Sequence, residues 1–515
     1  MRGAVAAGHP LTAEAGARAL AEGGNAVDAC VAAGFASWIA ESPLTGPGGG
    51  GFMLVHTARD RRSRVLDFFV AAPGLGQADG IGAEMDEVVV DFSDGATQLF
   101  HIGPPSCAVP GAAAGLEAAH RAFGRLPWRA VVEPAIELAR AGVELTATQA
   151  SIHAILDRIL RHMPEGRRVY GETVALAEGE RLVLRDLAST LEQLAAHGAD
   201  ALYRGELART LVSHVREGGG SITPEDLGAY RAIWRRPVSA RYGGSNLVSN
   251  PPPSSGGVLI AYGLQLLARL PRAPAGSADA IATIVEVMRE QARARGGSFV
   301  THLHHGGLAR RLEADLDAAY ARVLAGLSAP LELAPAGTTH ISVVDSAGNA
   351  ASLSASTGSG SGVIVPGTGI YLNNMLGEPD LTDGRSLRPG RRLTSMMAPT
   401  VALDEAGPRL VVGSAGSARL RGAIMQIVVN VLGHELGVEE AIARPRVHVD
   451  GEQVHCEGGH DPAELERLEA RGYELVRWRD RNLFFGGAAA VEVRPDGELH
   501  AAGDPRRGGH GIVVE

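Results

Sequence analysis

Cysteine is almost missing from this sequence: Cys30, Cys107 and Cys456 are the three in 515 residues. A count that sparse and odd excludes a disulfide framework as the basis of the fold. None of the three sits in a local His or Asp pattern that nominates it as a thiol nucleophile. Cys30 lies in an apolar helical pattern and reads as a small core residue. Aromatic residues are scarce too, at 4%. With 45% hydrophobic residues and 68 glycines, a sizeable core must come from small side chains in close-packed helices, joined by loops that the backbone defines. A basic excess is also lacking. The net charge of −10 and the pI of about 6.0 argue against nucleic acid or an anionic membrane as a general partner. No stretch approaches the roughly 20 apolar residues of a membrane-spanning helix. The opening segment, Met1 to Pro10, has one arginine and a short apolar run, which does not read as a signal peptide.

The length allows two or three average domains or one large α/β unit. Helices are expected over Leu11–Gly23, Asn25–Ser42, Ala112–Phe123, Ala130–Gly142, Leu187–His197 and Ala201–Glu217, with a helix start at Thr223-Pro224. Asn25–Ser42 is apolar on most faces and should be buried. Met53–His56 and Arg64–Phe68 read as strands joined by a charged turn. Toward the C-terminus strands dominate: Thr338–Ser356, Val363–Leu372, Pro399–Leu403 and Leu410–Val412. One long helix, Ser417–Leu436, and another at Pro462–Gly472 should cover them. Sheets with helices outside them predict a layered α/β sandwich.

The richest stretch is Gly337-Thr338-Thr339-His340-Ile341-Ser342-Val343-Val344-Asp345. A threonine follows a glycine directly and opens a strand, and an Asp345–Asn349 turn leads to the partner strand Ala350–Ser356. A threonine hydroxyl needs a base before it becomes a useful nucleophile. If the Gly337–Thr338 bond is cut, Thr338 gains a free α-amino group with a reference pKa of about 7.7–8.0, well placed to be that base. The loose segment Ala325–Gly337 before it is a natural linker ahead of a cleavage point. A functional boundary is therefore expected there: residues 1–337 as a large subunit and 338–515 as a small one, interleaved in one fold.

The surrounding motifs carry a resemblance. Gly23-Gly24-Asn25-Ala26-Val27-Asp28-Ala29, Gly46-Pro47-Gly48-Gly49-Gly50-Gly51-Phe52-Met53-Leu54, Val109-Pro110-Gly111 and Pro251-Pro252-Pro253-Ser254-Ser255-Gly256-Gly257 precede Thr338. Leu372-Asn373-Asn374, Met397-Ala398-Pro399-Thr400, Gly413-Ser414-Ala415-Gly416 and Ala443-Arg444-Pro445-Arg446 follow it. In this order and over nearly the whole chain they resemble the γ-glutamyltranspeptidase family of Ntn-hydrolases. The resemblance implies a four-layer αββα fold. It also implies cleavage at Gly337–Thr338, a heterodimer of the two pieces, no cofactor, and an acyl-enzyme at Thr338 whose acyl group passes to water or an amine. Glutathione or another γ-glutamyl compound is the implied substrate. Family-like sequence begins by about Ala4, which leaves no room for a leader and favours the cytoplasm.

The resemblance further implies roles for individual residues. Ser356 takes the place of a threonine that hydrogen-bonds the nucleophile. The N–H groups of Gly416 and Ser417 would form the oxyanion hole. Thr394 and Ser395 match a serine pair that holds the substrate α-carboxylate. Asn374 lies among the substrate-binding residues, and Glu378 replaces an aspartate for the substrate ammonium, with Asp380 as its rival. The Gly48–Gly51 loop is expected against the nucleophile, not around a phosphate, because no Lys-Ser/Thr follows it.

The departures concern the substrate pocket. Phe69 stands where the family has an arginine that grips the γ-glutamyl carboxylate, and a phenyl ring cannot make that bidentate contact. The Thr357–Ser361 loop is short and lacks an asparagine for the substrate amine, Met375 stands where many relatives have glutamine or glutamate, and Leu381–Arg392 is too short for a lid. Arg391, Arg392, Arg419 and Arg421 are candidate replacements for the lost anchor. His302, His304 and His305 lack the further ligands a zinc site needs and read as a surface cluster. Two alternatives therefore stand beside γ-glutamyl transfer: an acylase or amidohydrolase acting on another amide, and a scaffold that never matures.

Overall fold

The computed structural model describes residues 2–77, 83–91, 97–296, 299–326, 337–382, 387–416 and 419–515, without the side chains of His305 and Ala309. Two antiparallel sheets organise the chain. Their strands are β1 (Gly3–Ala7), β2 (Gly50–Thr57), β3 (Arg62–Phe68), β4 (Ile233–Arg235), β5 (Val238–Tyr242), β6 (Ser245–Ser249), β7 (Thr339–Asp345), β8 (Ala350–Ser356), β9 (Thr400–Leu403), β10 (Pro408–Ala415), β11 (Gly487–Val493), β12 (Leu499–Gly503) and β13 (His510–Val514). One sheet has seven strands in the order β13-β1-β7-β8-β2-β3-β4. The other has six, in the order β12-β11-β10-β9-β6-β5.

Alternation along the strands explains the layers. In β2, Phe52 and Leu54 join a core between the two sheets with Val65, Val344, Val401, Val411 and Val491. Met53 and Val55 point the other way, into a second core with Ile341, Val343 and the helices α1 (Pro10–Ala21), α2 (Ala26–Ala40), α3 (Ala112–Phe123) and α4 (Trp128–Ala141). The six-stranded sheet is covered in the same way by α5 (Gly256–Leu267), α6 (Ala278–Ala294), α7 (Leu308–Ala325) and α8 (Leu420–Val428). The result is the αββα sandwich that the resemblance implied. Helix α2 is buried at every position, as a helix apolar on all sides must be, and an Asn25–Asp28 capping box fixes its start.

Segments from both sides of Gly337 interleave. Strand β7 lies between β1, from the start of the chain, and β8, and β8 pairs in turn with β2. The C-terminal strand β13 closes against β1.

Several expectations need correction. The helix expected over Ala201–Glu217 is two, Asp200–Arg204 and Glu206–Glu217, because Gly205 leaves the helical region between them. The strand expected over Val363–Leu372 is a small hairpin of Ile364–Val365 and Ile370–Tyr371, turned by Gly367 and Gly369 at positive φ. The helix expected over Ser417–Leu436 is α8 followed by a π-helical turn, Val429–Gly433. Ser417 itself lies outside the described residues, as does most of the expected linker, residues 327–336, and the 383–386 part of the Leu381–Arg392 loop. Among the described residues no helix is long and apolar enough to cross a membrane.

The C-terminal strands carry one polar cluster inside the core. Asp504 accepts from Arg446 at 2.6 Å, from the Ala488 amide at 2.9 Å and from the Arg506 guanidinium at 3.0 Å. Arg506 is shared with Glu457 at 2.6 Å. Removing one partner of a buried set leaves the others uncompensated. Asp504→Ala should therefore destabilise the protein by roughly 3–5 kcal/mol in urea unfolding. An unchanged midpoint would show that the cluster is structurally idle.

Candidate active site

The β7–β8 pairing builds the centre of the site. Thr339 faces Ala355 across the ladder, which sets Thr338 beside Ser356. Both are buried, at 4% and 2% exposure. The Thr338 hydroxyl donates to the Gly337 carbonyl oxygen at 2.7 Å. The Ser356 hydroxyl donates to that same oxygen, and its own oxygen accepts from the Gly358 amide at 2.7 Å. In the uncut chain, then, Ser356 bonds the carbonyl of the Gly337–Thr338 peptide. A Cβ on Gly337 would stand 2.6 Å from the Gly358 carbonyl oxygen, so glycine is the residue this approach admits.

The glycine loop backs this arrangement. A Cβ on Gly49 would stand 2.3 Å from the Ser356 carbonyl oxygen, so the loop can press against the end of β8 only without side chains. The Asn373 amide group donates to the Gly48 and Ala108 carbonyls at 2.7 and 2.9 Å and locks the loop to its surroundings.

Asn374 and Glu378 reach the same place through the Thr357–Ser361 turn. The Ser359 amide donates to Asn374 Oδ1 at 2.9 Å, and the Ser359 hydroxyl donates to Glu378 Oε1 at 3.2 Å. Glu378 is 4% exposed. Burial pushes its carboxyl up to about 7, against the opposing hydrogen bond from Ser359, and the nearby Asp380 adds to the rise.

Other expected residues lie apart from this centre or are already engaged. Thr394 donates to the Leu381 carbonyl at 2.7 Å. The Ser395 hydroxyl accepts from the Met397 amide at 3.1 Å. Gly416, at φ 115, follows β10 and leads toward Arg419, whereas Ser417 is not among the described residues. Phe69 is buried between the sheets and stacks on Phe52 with centroids 5.5 Å apart. Of the arginines weighed as anchors, Arg392 pairs with Asp67 at 3.3 Å and lies 4.3 Å over the Tyr230 ring. Arg419 differs. Its guanidinium lies 4.3 Å over Phe484, and its Nε has no hydrogen-bond partner among the described residues.

A cleft opens beside Gly337. Leu44, Phe100, Ile152, Ile155, Leu156 and Leu483 give it an apolar wall. Ser359, Arg419 and Arg507 supply its polar groups. Burial and the closeness of Arg507 lower the Arg419 guanidinium to about 9, and burial lowers Arg507 to about 10. Two cations share one apolar space, an arrangement that an anion would stabilise. Arg507 also donates to the Thr338 carbonyl oxygen at 3.1 Å. Sequence reasoning missed Arg507 altogether. It lies 169 residues from Thr338, and nothing in its neighbourhood marks it as different from an ordinary surface arginine. Glu41 was missed as well: it accepts from Thr12 at 2.8 Å and from the Thr339 hydroxyl. Among the described residues no cluster of His, Cys, Asp and Glu is arranged to hold a metal ion.

Comparison with known proteins shows the family. The family model for gamma-glutamyltranspeptidase matches residues 12–514. The acylase ACY 1 proenzyme of Pseudomonas sp. (strain SE83) is 33% identical over 100% of this chain and 94% of its own length. The glutathione hydrolase proenzyme of Escherichia coli (strain K12) is 30% identical over 98% of this chain and 90% of its own. Among solved structures, the cephalosporin acylase from Bacillus halodurans superposes with a TM-score of 0.86 at 25% identity, covering 100% of this chain and 96% of that one. The chain belongs to the gamma-glutamyltranspeptidase family. It is an enzyme of a family whose relatives are named for hydrolysis and acyl removal.

The raised Glu378 carboxyl has a consequence for stability. Its folded pKa of about 7 lies above that of the unfolded chain, so the folded state holds the extra proton between the two values. The stabilisation is complete below the unfolded value, about 4.3, and is lost as pH rises toward neutrality. Thermal unfolding should therefore show Glu378→Gln gaining on the parent protein as pH rises through that window. Parallel curves for the two proteins would contradict the assignment.

Proposed function

We propose that Thr338 is the nucleophile of a self-processing amide hydrolase. The observation that carries this reading is the convergence of the Thr338 and Ser356 hydroxyls on the Gly337 carbonyl oxygen. Attack of Thr338 Oγ on the Gly337 carbonyl carbon places negative charge on that oxygen, where Ser356 already donates. As the C–N bond breaks, the nitrogen of Thr338 takes the proton and an ester remains. Water then opens the ester, giving a Gly337 carboxylate and a Thr338 with free hydroxyl and free amine. Residues 1–337 and 338–515 become two subunits of one fold, held by the β1–β7 and β2–β8 pairings.

In the mature enzyme the α-amine takes the hydroxyl proton as Thr338 attacks a substrate amide, and passes it to the leaving amine. Water releases the acyl group. The N–H of Gly416, at the turn after β10, would donate to the oxyanion of this second reaction, with the Ser417 N–H as the second donor that the resemblance implies.

The cleft supports an acyl group with an apolar body and a terminal carboxylate. Leu44, Phe100, Ile152 and Leu156 suit the body, and Arg419 with Arg507 suits the anion. This favours an acylase over a γ-glutamyl-specific enzyme. The Thr394 hydroxyl already donates to the Leu381 carbonyl, and Phe69 offers no charge. The γ-glutamyl reading keeps one support: the Glu378 carboxyl behind Ser359, which an ammonium could approach.

Glutaryl and γ-glutamyl p-nitroanilides differ by the α-ammonium alone and separate the two readings. The matured enzyme should hydrolyse the glutaryl compound with kcat/KM at least about tenfold higher, a difference near 1.4 kcal/mol. A preference for the γ-glutamyl compound would overturn the acylase assignment. On a denaturing gel Thr338→Ala should stay a single chain, and Ser356→Ala should process more slowly by about 100-fold or more. Two subunits from Thr338→Ala would remove the nucleophile.

A further inference from the structure

On the helix-facing side of β7, next to the nucleophile, lies a polar group of residues for which the reaction above names no part at the amine. Glu41 sits at the C-terminal end of α2 and is 7% exposed. One carboxyl oxygen accepts from Thr12 of α1 at 2.8 Å. The other accepts from Thr339, the residue that directly follows Thr338. Arg507, in the turn before β13, holds the Thr338 carbonyl at 3.1 Å and attracts the Glu41 carboxyl. The main chain of the nucleophile is thus gripped at its carbonyl by a partly buried cation, and its neighbour by a buried carboxyl.

A small cavity of about 20 Å³ joins the two groups, lined by Gly8, His9, Glu41, Gln149, His153 and Arg507. That is room for about one water molecule. His9 and His153 are 4% and 1% exposed, and His9 Nε2 and His153 Nδ1 lack hydrogen-bond partners among the described residues. Burial lowers both imidazoles, His9 to about 4, so they are neutral at physiological pH. A neutral imidazole nitrogen can bind a water without adding charge. A Cβ on Gly8 would stand 2.3 Å from Glu41 Oε2, so the carboxyl is seated against bare backbone. Around Glu41 the facing groups are Thr12 from α1, His9 ahead of α1, His153 from the helix Ala147–Ile155, Thr339 from β7 and Arg507, with Asp504 acting on Arg507 from behind.

We propose that Glu41 and Arg507, bridged by one internal water held on His9 and His153, form a charge pair that positions Thr338 and sets the electrostatic potential at its α-amine. The proposal rests on the reading of Thr338 as a processed nucleophile. Neither residue touches the reacting atoms, so toward the amine both are positioning residues, and Arg507 keeps its separate part in the anion site. A carboxylate nearby favours the ammonium form of the amine, and a guanidinium disfavours it. Because burial raises Glu41 while the hydrogen bonds from Thr339 and Thr12, and then Arg507, oppose the rise and leave it near 7, its charge changes over the same range as the amine's.

The test is the pH dependence of kcat/KM for matured protein on the anilide the parent hydrolyses. Its acid limb reports loss of the proton from the free enzyme's base. Glu41→Gln should move that limb to lower pH and Arg507→Gln to higher pH, each by about half a unit. A purely structural part would change rate or stability without opposed shifts. Unmoved limbs, or limbs that move in the same direction, would overturn the proposal. If Glu41→Gln gives no folded protein, Arg507→Gln beside Arg507→Lys decides: the first must shift the limb upward and the second must restore it. Electron density of the matured protein should show a water between His9 Nε2 and His153 Nδ1, and an empty cavity would remove the bridge. Failure of the parent chain to split on a gel is a separate outcome that sinks the reading of Thr338 before any pH profile is taken.

Discussion

One contact holds the account together: the carbonyl oxygen of Gly337, bonded by the hydroxyls of Thr338 and Ser356. It exists because β7 and β8 pair in a register that sets Thr339 opposite Ala355. A slip of one residue would turn Thr338 to the other face and separate the two hydroxyls. The register is secured from both sides. β1 and β2 flank the hairpin, and cores on both faces reward a single alternation of inward and outward side chains. The nucleophile's position is therefore a property of the whole seven-stranded sheet.

The second constraint is charge in a dry interior. The sequence contains no lysine, so every fixed side-chain cation is an arginine. Arginine holds its charge where lysine would lose it, which suits a cleft walled by leucine and isoleucine. Arg392, Arg446 and Arg506 each have a carboxylate at ion-pair distance, whereas Arg507 feels Glu41 and Asp504 without direct contact and the Arg419 guanidinium lies over the Phe484 ring. That contrast is the physical ground for an anionic acyl group. No lysine can act as a base either. An amine that titrates near neutrality has to come from a chain terminus, which is what scission before Thr338 would supply to the proposed mechanism.

Much of this was legible in the sequence, and the exceptions have physical causes. The buried helix α2, the β2–β3 hairpin and the β7–β8 hairpin were readable because their periodicity and turn residues agree with their final setting. Thr338 could be singled out as the candidate nucleophile because a Gly-Thr pair opening a strand is a local signal. The helices α5–α7 drew no expectation, since α5 begins in a Ser/Gly stretch that reads as loop. Gly205 and the Val363–Leu372 hairpin show turn chemistry prevailing over an apolar run. Arg507 and Glu41 lie 169 and 298 residues from their partners at the start of the β7 segment, and no local pattern encodes contacts of that separation. Phe69 could be read as a missing anchor, but its place between the sheets emerges only from the three-dimensional fold.

The absence of lysine also supplies the most direct measurement. Reductive dimethylation marks primary amines, and in this protein the only ones are chain termini. Digestion and mass spectrometry of freshly purified, labelled protein should yield a dimethylated peptide beginning Thr338-Thr339-His340, in an amount equal to the labelled start of the chain. Label confined to the original start, on protein of undivided length, would contradict the central claim that Thr338 is freed to supply its own base.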